Sequence, residues 1–368
     1  MIAPTRKRLL HVVGGAARGG CETNCAVFIQ ASPELEHEIL VLGEPGVMSE
    51  HWLSLGATVA HLSLLETGWL EFHTRLAELL EGSAYAGAIV WVGIRVPLVL
   101  AVLARVGCPT ILHAGNPFAG NWRVRLLFMA GGWFLPRPRI LTVVGCSEQV
   151  ARSYRRAPFF RRLPVEACLN PVELPAENPH RPRALTPSDP VRLGMVARLD
   201  SIKDHATLIQ ALGLVREQWP RAELHLAGDG PLRAPLEALA RERGVDQAVH
   251  FHGSISTVPS FLDSLDVFCF LTTEQEGMGN ALAEALARGL PCVVNDLPVM
   301  RELVGEPPAR AALLTVAEPA PVAEAIAGLL GDEAARRRLS DAARQRAGSA
   351  CSPRRVVDRY LSCLQGQP

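Results

Sequence analysis

Short apolar runs rich in β-branched residues alternate with longer stretches of helical pattern along most of the 368 residues, and this alternation limits the fold more than any other feature. RLLHVV (8–13), HEILVL (37–42), GAIVWV (87–92), PTILHA (109–114) and ILTVVG (140–145) have the continuous hydrophobicity of strands covered on both faces. Helical stretches such as 69–81 and 96–107 separate them. The alternation stops at PVELPAENPHRPRALTPSDP (171–190), which holds six prolines. Proline lacks the N–H that a ladder or a helix interior needs, so this stretch predicts a linker. The alternation resumes with VRLGMVA (191–197), AELHLAG (222–228), AVHFHG (248–253), VFCFL (267–271), PCVVN (291–295) and AALLTV (311–316). Buried strands joined by helices form parallel sheets. The expected architecture is α/β, with two doubly wound parallel-sheet domains, 1–170 and 191–350, facing a cleft.

The length agrees with two domains, being beyond the size at which a single core stops growing. Lys plus Arg and Asp plus Glu each number 37, so the chain as a whole is not an obvious nucleic-acid binder. No apolar run reaches the roughly 20 residues that cross a bilayer. The start, MIAPTRKRLLHVVGGAARGG, has the basic patch and apolar run of a signal peptide, but His11 and two glycines interrupt it. A first strand entering a glycine loop is the expected structure. The nine cysteines are an odd number, scattered through apolar segments, and predict reduced thiols in a cytoplasmic protein. Cys21 and Cys25 have no second pair or histidine at zinc spacing, so no metal site is expected there.

Several clusters carry candidate chemistry. In EGMGNALAEALARGLP (276–291), Asn280 is read as a helix cap, and Gly289 followed by Pro291 ends the helix. Glu284 falls on the side away from Leu282 and Leu286. Gly277 and Gly279 let backbone N–H groups approach a ligand, and the helix start favours an anion. Glu276 and Glu284 can then hold two sets of hydroxyls. Alternatively, Glu284 pairs with Arg288 on a solvated face and Glu276 is a turn residue. Arg198 and Lys203, in GMVARLDSIKDH (194–205), follow a strand and suit a diphosphate, or belong to a solvated turn. Gly228 and Gly230 in LAGDGPLRAPL make either a phosphate cradle or a plain turn. GGAARGGCET (14–23) has Cys21 where a P-loop needs lysine and reads as a flexible loop lining the cleft. His113 ends a strand, where a histidine is either functional or structural.

Together these pieces resemble the retaining GT-B glycosyltransferases of family 4 (glycosyl transferases group 1). ARLDSIKDHATLIQAL, LHLAGDGPLRAPLEALA, EGMGNALAEALARGLPCVV and VAEAIAGLLGDEAARRRLSDAARQRA resemble the family's arginine–lysine stretch, GDGP segment, paired-glutamate signature and late helical pair, in order, over about 190–350. The first half matches in outline, at the glycine loop, His113 and LNPVEL (169–174). The closing CSPRRVVDRYLSCL resembles the family's last helix, which implies that 351–368 cross back to the first domain. The resemblance implies a hexosyltransferase-like enzyme that moves a sugar, with retention, from a UDP-, GDP- or other nucleotide sugar to a saccharide, cyclitol or lipid-linked hydroxyl. It implies no cofactor and no metal.

By that resemblance Arg198 and Lys203 bind the diphosphate, Glu284 the ribose, and Glu276 with the backbone of Gly277, Met278, Gly279 and Asn280 the donor sugar. Gly19 and Gly20 lie near the diphosphate or acceptor, Gly228 near the donor, and His113 near the reacting centre. Met278 stands where the family has phenylalanine, TTEQ replaces a common Pro-Ser, and NDLPVMRELV lacks the glycines usual before Glu302. Residues 121–163 carry nine arginines, one acid and interleaved aromatics, which predicts peripheral contact with anionic lipid on the inner face of a membrane, or else a solvated arginine face. Competing functions are an epimerase or hydrolase of the same fold and a non-catalytic sugar-nucleotide binder.

Overall fold

The computed structural model describes residues 7–63, 69–80, 85–91, 99–100, 103, 107–118, 141–158, 160–180 and 182–366. The chain forms two compact units, Met1–Pro171 with Pro353–Pro368, and Val172–Ser352.

The first unit holds a seven-stranded sheet in the order β3-β2-β1-β4-β5-β6-β7. Its strands are β1 (Arg8–Val13), β2 (Glu36–Val41), β3 (Thr58–His61), β4 (Tyr85–Val90), β5 (Thr110–Ala114), β6 (Leu141–Gly145) and β7 (Val165–Ala167). The second unit holds a six-stranded sheet, β10-β9-β8-β11-β12-β13. Here the strands are β8 (Val191–Val196), β9 (Ala222–Ala227), β10 (Val249–Gly253), β11 (Val267–Phe270), β12 (Cys292–Asn295) and β13 (Leu313–Thr315). Every strand pairing is parallel. The expected α/β class is therefore observed. Two strands escaped the sequence reading. β3 and β7 lie at the sheet edges and are largely half-exposed, so neither has the continuous apolar run of a central strand. The helix expected at 69–81 runs Trp69–Leu80; that expected at 96–107 lies mostly outside the described residues.

The first core gathers Leu9, Val13, Phe28, Trp52, Ile89 and Trp91 with Val356, Val357 and Tyr360 of the last helix, Pro353–Leu364. That helix packs so closely on β4 that a Cβ at Gly87 would lie 2.7 Å from Leu364. The proline-rich stretch expected as a linker is part of the second unit from Val172 onward. Its prolines remove donors but leave carbonyls that need partners. Arginines of the helix Glu333–Ala350 supply them: Arg336, fully buried, reaches the Arg183 carbonyl at 2.7 Å, and Arg344 reaches those of Glu177 and Pro175. Of the basic segment 121–163, residues 121–140 and 159 lie outside the described residues. In the rest, Phe160 is buried against Phe118 and Tyr154, while Arg152 and Arg155 share Glu148. Among the described residues no helix is long and apolar enough to cross a membrane.

A chain of buried neutral groups crosses the first core. Indole is only a donor, so Trp91 Nε1 donates to His11 Nδ1 at 3.2 Å. His11 Nε2 must then carry a proton and donate to His37 Nδ1 at 3.0 Å. His37 Nε2 in turn donates to the Ser32 carbonyl at 3.0 Å. One proton more on either ring leaves two donors facing each other. Burial lowers the pKa of both rings, and their mutual repulsion lowers that of His11 further. Burial takes His113 down to about 4. A folded pKa below the ordinary 6.5 means the unfolded chain binds more protons between the two values. The contribution of His113 is therefore full above pH 6.5 and is lost as pH falls toward 4, at up to about 1.4 kcal/mol per pH unit, and the lowered pKa values of His11 and His37 act in the same direction. A Tm series from pH 8 to pH 4 should be level and then fall below about 6.5; a level Tm down to pH 5 would contradict the neutral chain.

Candidate active site

Strand order reverses beside β1 in the first sheet and beside β8 in the second. In open α/β sheets ligands bind outside the carboxyl ends of the strands at such a point. In the second unit the loops leaving β8 and β11 carry Lys203 and Glu276, and backbone bonds fasten them together. Asp204 N–H donates to the Leu271 carbonyl at 3.0 Å, and Thr273 N–H to that of Ile202 at 2.9 Å. The Lys203 ammonium donates to Glu276 Oε2 and lies 4.6 Å from the Phe270 ring centroid. Both side chains are largely buried, at 15% and 10% exposure. The other carboxylate oxygen, Oε1, accepts the Gly277 N–H at 3.1 Å. Glu276 is thus a held, buried carboxylate and no surface turn residue.

Two residues that sequence reasoning missed complete this arrangement. The Thr272 hydroxyl stands 3.1 Å from Glu276 Oε2 and 3.0 Å from the Ile202 carbonyl, so its single proton serves one of them at a time. Asn295, at the end of β12, clamps Thr272 from both sides: Oδ1 accepts its N–H at 3.0 Å and Nδ2 donates to its carbonyl at 2.8 Å. A polar residue closing an otherwise apolar strand was the one signal for Asn295.

The helix after Glu276 runs Asn280–Ala287. Its cap is Gly279, not Asn280, which is the first helical residue. Gly279 has φ +90, and a Cβ there would lie 2.9 Å from Phe270, so conformation and packing both demand glycine. Met278 is buried, as are Gly277 and Gly279 on either side of it. Glu284 lies one turn beyond Asn280 and is half-buried. Arg288 directs its guanidinium to Asp263 with two hydrogen bonds. Gly289, at φ +69, ends the helix as expected.

Arg198 shares the loop of Lys203 but is 71% exposed, with its guanidinium 2.5 Å from Asp200. The loop after β9 is bolted to that loop: Leu199 N–H donates to the Asp229 carbonyl at 3.0 Å, and Leu232 N–H to that of Leu199 at 3.0 Å. Gly228, at φ +137, leaves no room for a side chain, since a Cβ would lie 1.9 Å from the Ala197 carbonyl. Its glycine is required by backbone packing, whatever a ligand requires.

Gly19, Gly20 and His113 belong to the first unit. The expected flexible loop at 14–23 is helix from Gly20 onward, capped by Gly19. A Cβ at Gly19 would lie 2.5 Å from Glu22 Oε2, so a carboxylate of the chain already folds over this helix start. Burial raises the pKa of Glu22. His113 is buried at the end of β5, its Nδ1 2.8 Å from the Tyr360 hydroxyl. Its Nε2 is buried without a hydrogen-bond partner, on the side where Gly115 adjoins Cys21.

The two sheets and their strand orders are those of the GT-B fold, a class defined by solved structures to which this one is similar. A structure of Anabaena Alr3699/HepE in complex with UDP and glucose superposes with a TM-score of 0.79 at 16% identity, covering 98% of this chain and 100% of that one. Residues 177–346 match the family model described as glycosyl transferases group 1. The chain is 26% identical, over 79% of its length and 80% of the relative's, to the putative glycosyltransferase EpsF of Bacillus subtilis. It is 29% identical, over 50% of its length and 52% of the relative's, to the lipopolysaccharide core biosynthesis glycosyltransferase LpsE of Rhizobium meliloti.

Removing one partner of the buried pair leaves the other charge uncompensated. Lys203→Met should cost about 3 kcal/mol of stability, and Glu276→Gln in the same chain should restore much of it. A denaturant double-mutant cycle measures this; additive losses would mean that the two side chains are not coupled.

Proposed function

We propose that the protein is a glycosyltransferase that moves a sugar from a nucleoside diphosphate sugar to a saccharide, cyclitol or lipid-linked hydroxyl, with retention and without a metal. The observation that carries this reading is the buried Lys203–Glu276 pair beside the Gly277–Gly279 turn, within a glycosyl transferases group 1 stretch. The bond from the anomeric carbon to the diphosphate oxygen breaks, the acceptor oxygen takes its place, and the acceptor proton passes to the departing diphosphate or to water. Negative charge gathers on the departing diphosphate, and cations fixed in advance stabilise it without reorganising. Lys203 and the exposed Arg198 supply that charge in this reading, so no metal is needed. A diphosphate competes with Glu276 for Lys203, which frees the carboxylate to accept from donor-sugar hydroxyls. The resemblance sets the backbone of Gly277 to Asn280 around the donor sugar and Glu284 at the ribose diol. The resemblance assigns Gly19, Gly20 and Gly228 to the donor surroundings as well. His113 Nε2, buried and unpartnered, supports its assignment to a ligand hydroxyl.

The Anabaena neighbour is described with UDP and glucose, which makes UDP the first nucleotide to try. In a thermal-shift screen of UDP, GDP, ADP, CMP and TDP, one diphosphate should raise Tm, with EDTA making no difference; about 2.7 kcal/mol is gained at 100 times the dissociation constant. No shift with any of them, or a shift abolished by EDTA, would count against the reading. Lys203→Ala should lower turnover at least about 100-fold when folded protein is compared with folded protein. Glu284→Ala should raise the donor KM with little change in kcat, because ribose contacts alter little along the reaction. Unchanged kinetics in both variants would refute these roles.

A further inference from the structure

Three side chains near the free edge of the second sheet have no part in the chemistry above. Glu223 and His225 alternate along β9 and so share a face. His250, on the edge strand β10, stands in register with His225. Glu223 Oε2 lies 3.3 Å from His225 Nε2 and 3.4 Å from His250 Nε2, and the His225 side chain is only 6% exposed. Both nitrogen atoms are buried, yet neither makes a hydrogen bond. At these distances an N–H aimed at the carboxylate would make one. The ring nitrogens therefore point beside the oxygen, and the three ligand atoms lie within 4.8 Å of one another.

We propose that Glu223, His225 and His250 form a structural site for one divalent transition-metal ion of the zinc class, which clips edge strand β10 to β9. Ligand bonds of about 2.0–2.1 Å in a tetrahedron place ligand atoms roughly 3.3–3.4 Å apart. The two distances to Glu223 already have that length. The third edge closes by rotation of the His250 ring, whose side chain is 40% exposed, and water takes the fourth position. The remaining nitrogen of the buried ligand is also accounted for. His225 Nδ1 lies 3.0 Å from His252 Nε2, and donation along that bond fixes the tautomer that leaves Nε2 free to ligate. Ring stacking of His225 with His250 and His252, at centroid separations of 4.7 and 5.3 Å, holds all three imidazoles in place.

The surroundings select the ion. Arg192 on β8 is in register with Glu223, and its buried Nε has no hydrogen-bond partner, so its charge opposes any cation. Calcium and magnesium depend on several oxygen ligands, and one carboxylate beside an arginine does not provide them. Imidazole nitrogens suit zinc, nickel, copper and cobalt, whose bonds to nitrogen are strong.

The test is titration of EDTA-treated, re-dialysed full-length protein with Zn(II) by calorimetry and with Co(II) by visible absorption. One ion per chain is expected, with tetrahedral Co(II) bands and no thiolate charge-transfer band in the near ultraviolet. Glu223→Gln and His250→Asn alter half-exposed side chains and should keep the fold, as circular dichroism checks; each should weaken binding at least tenfold. Zn(II) should also slow amide exchange along Val249–Gly253 in the wild type. No binding, binding equal in both variants, or a thiolate band would overturn the proposal, since ions would then be absent or held by the cysteines.

Discussion

A parallel strand covered on both faces cannot turn straight back into its neighbour. The chain must cross over the sheet, usually as a helix, before it pairs again. That constraint arranges everything else in each unit. All strands of a sheet end on the same side, so the loops that follow them are gathered there whatever their separation in sequence. Lys203 and Glu276 meet across 73 residues because β8 and β11 are neighbours, and the short backbone bridge between their loops follows from the same adjacency.

The two units satisfy buried polarity in different ways. In the first, a directional chain of neutral donors and acceptors runs from Trp91 through His11 and His37 to Ser32, and each tautomer is dictated by the one before it. Such a chain gains from burial as long as no ring is charged. In the second, an ion pair is buried with every carboxylate oxygen engaged. A buried ion pair is costly to desolvate and seldom the most stable way to fill a core. This one stands at the carboxyl ends of strands, beside a glycine turn, where the proposed donor site makes use of it.

The glycines illustrate how one residue answers to several demands. Sequence reasoning links Gly228 and Gly279 to the approach of a ligand. The structure adds a sufficient reason of its own, because each has a positive φ and backbone or ring atoms where a Cβ would stand. Asn280 shows the opposite case. A good capping residue sits one position inside the helix, because the left-handed turn that places Gly279 beside Phe270 sets where the helix begins. Local preference yields to packing there.

The sequence by itself determined the α/β class, the central strands and the loops that carry Arg198, Lys203, Glu276 and Glu284, because buried strands announce themselves by continuous apolar runs and loops by glycine and charge. The edge strands β3 and β7 were not legible, since half-exposed strands have mixed composition. The proline-rich stretch reads as a linker until the arginines that bind its carbonyls, some 150 residues later in the chain, are seen beside it. Only tertiary structure decided that Lys203 pairs with Glu276, that Thr272 and Asn295 hold that pair, and that His225 and His250 stand together. Each of these depends on strand order, and strand order is set by which crossovers pack, a property of the whole sheet that no local stretch of sequence contains.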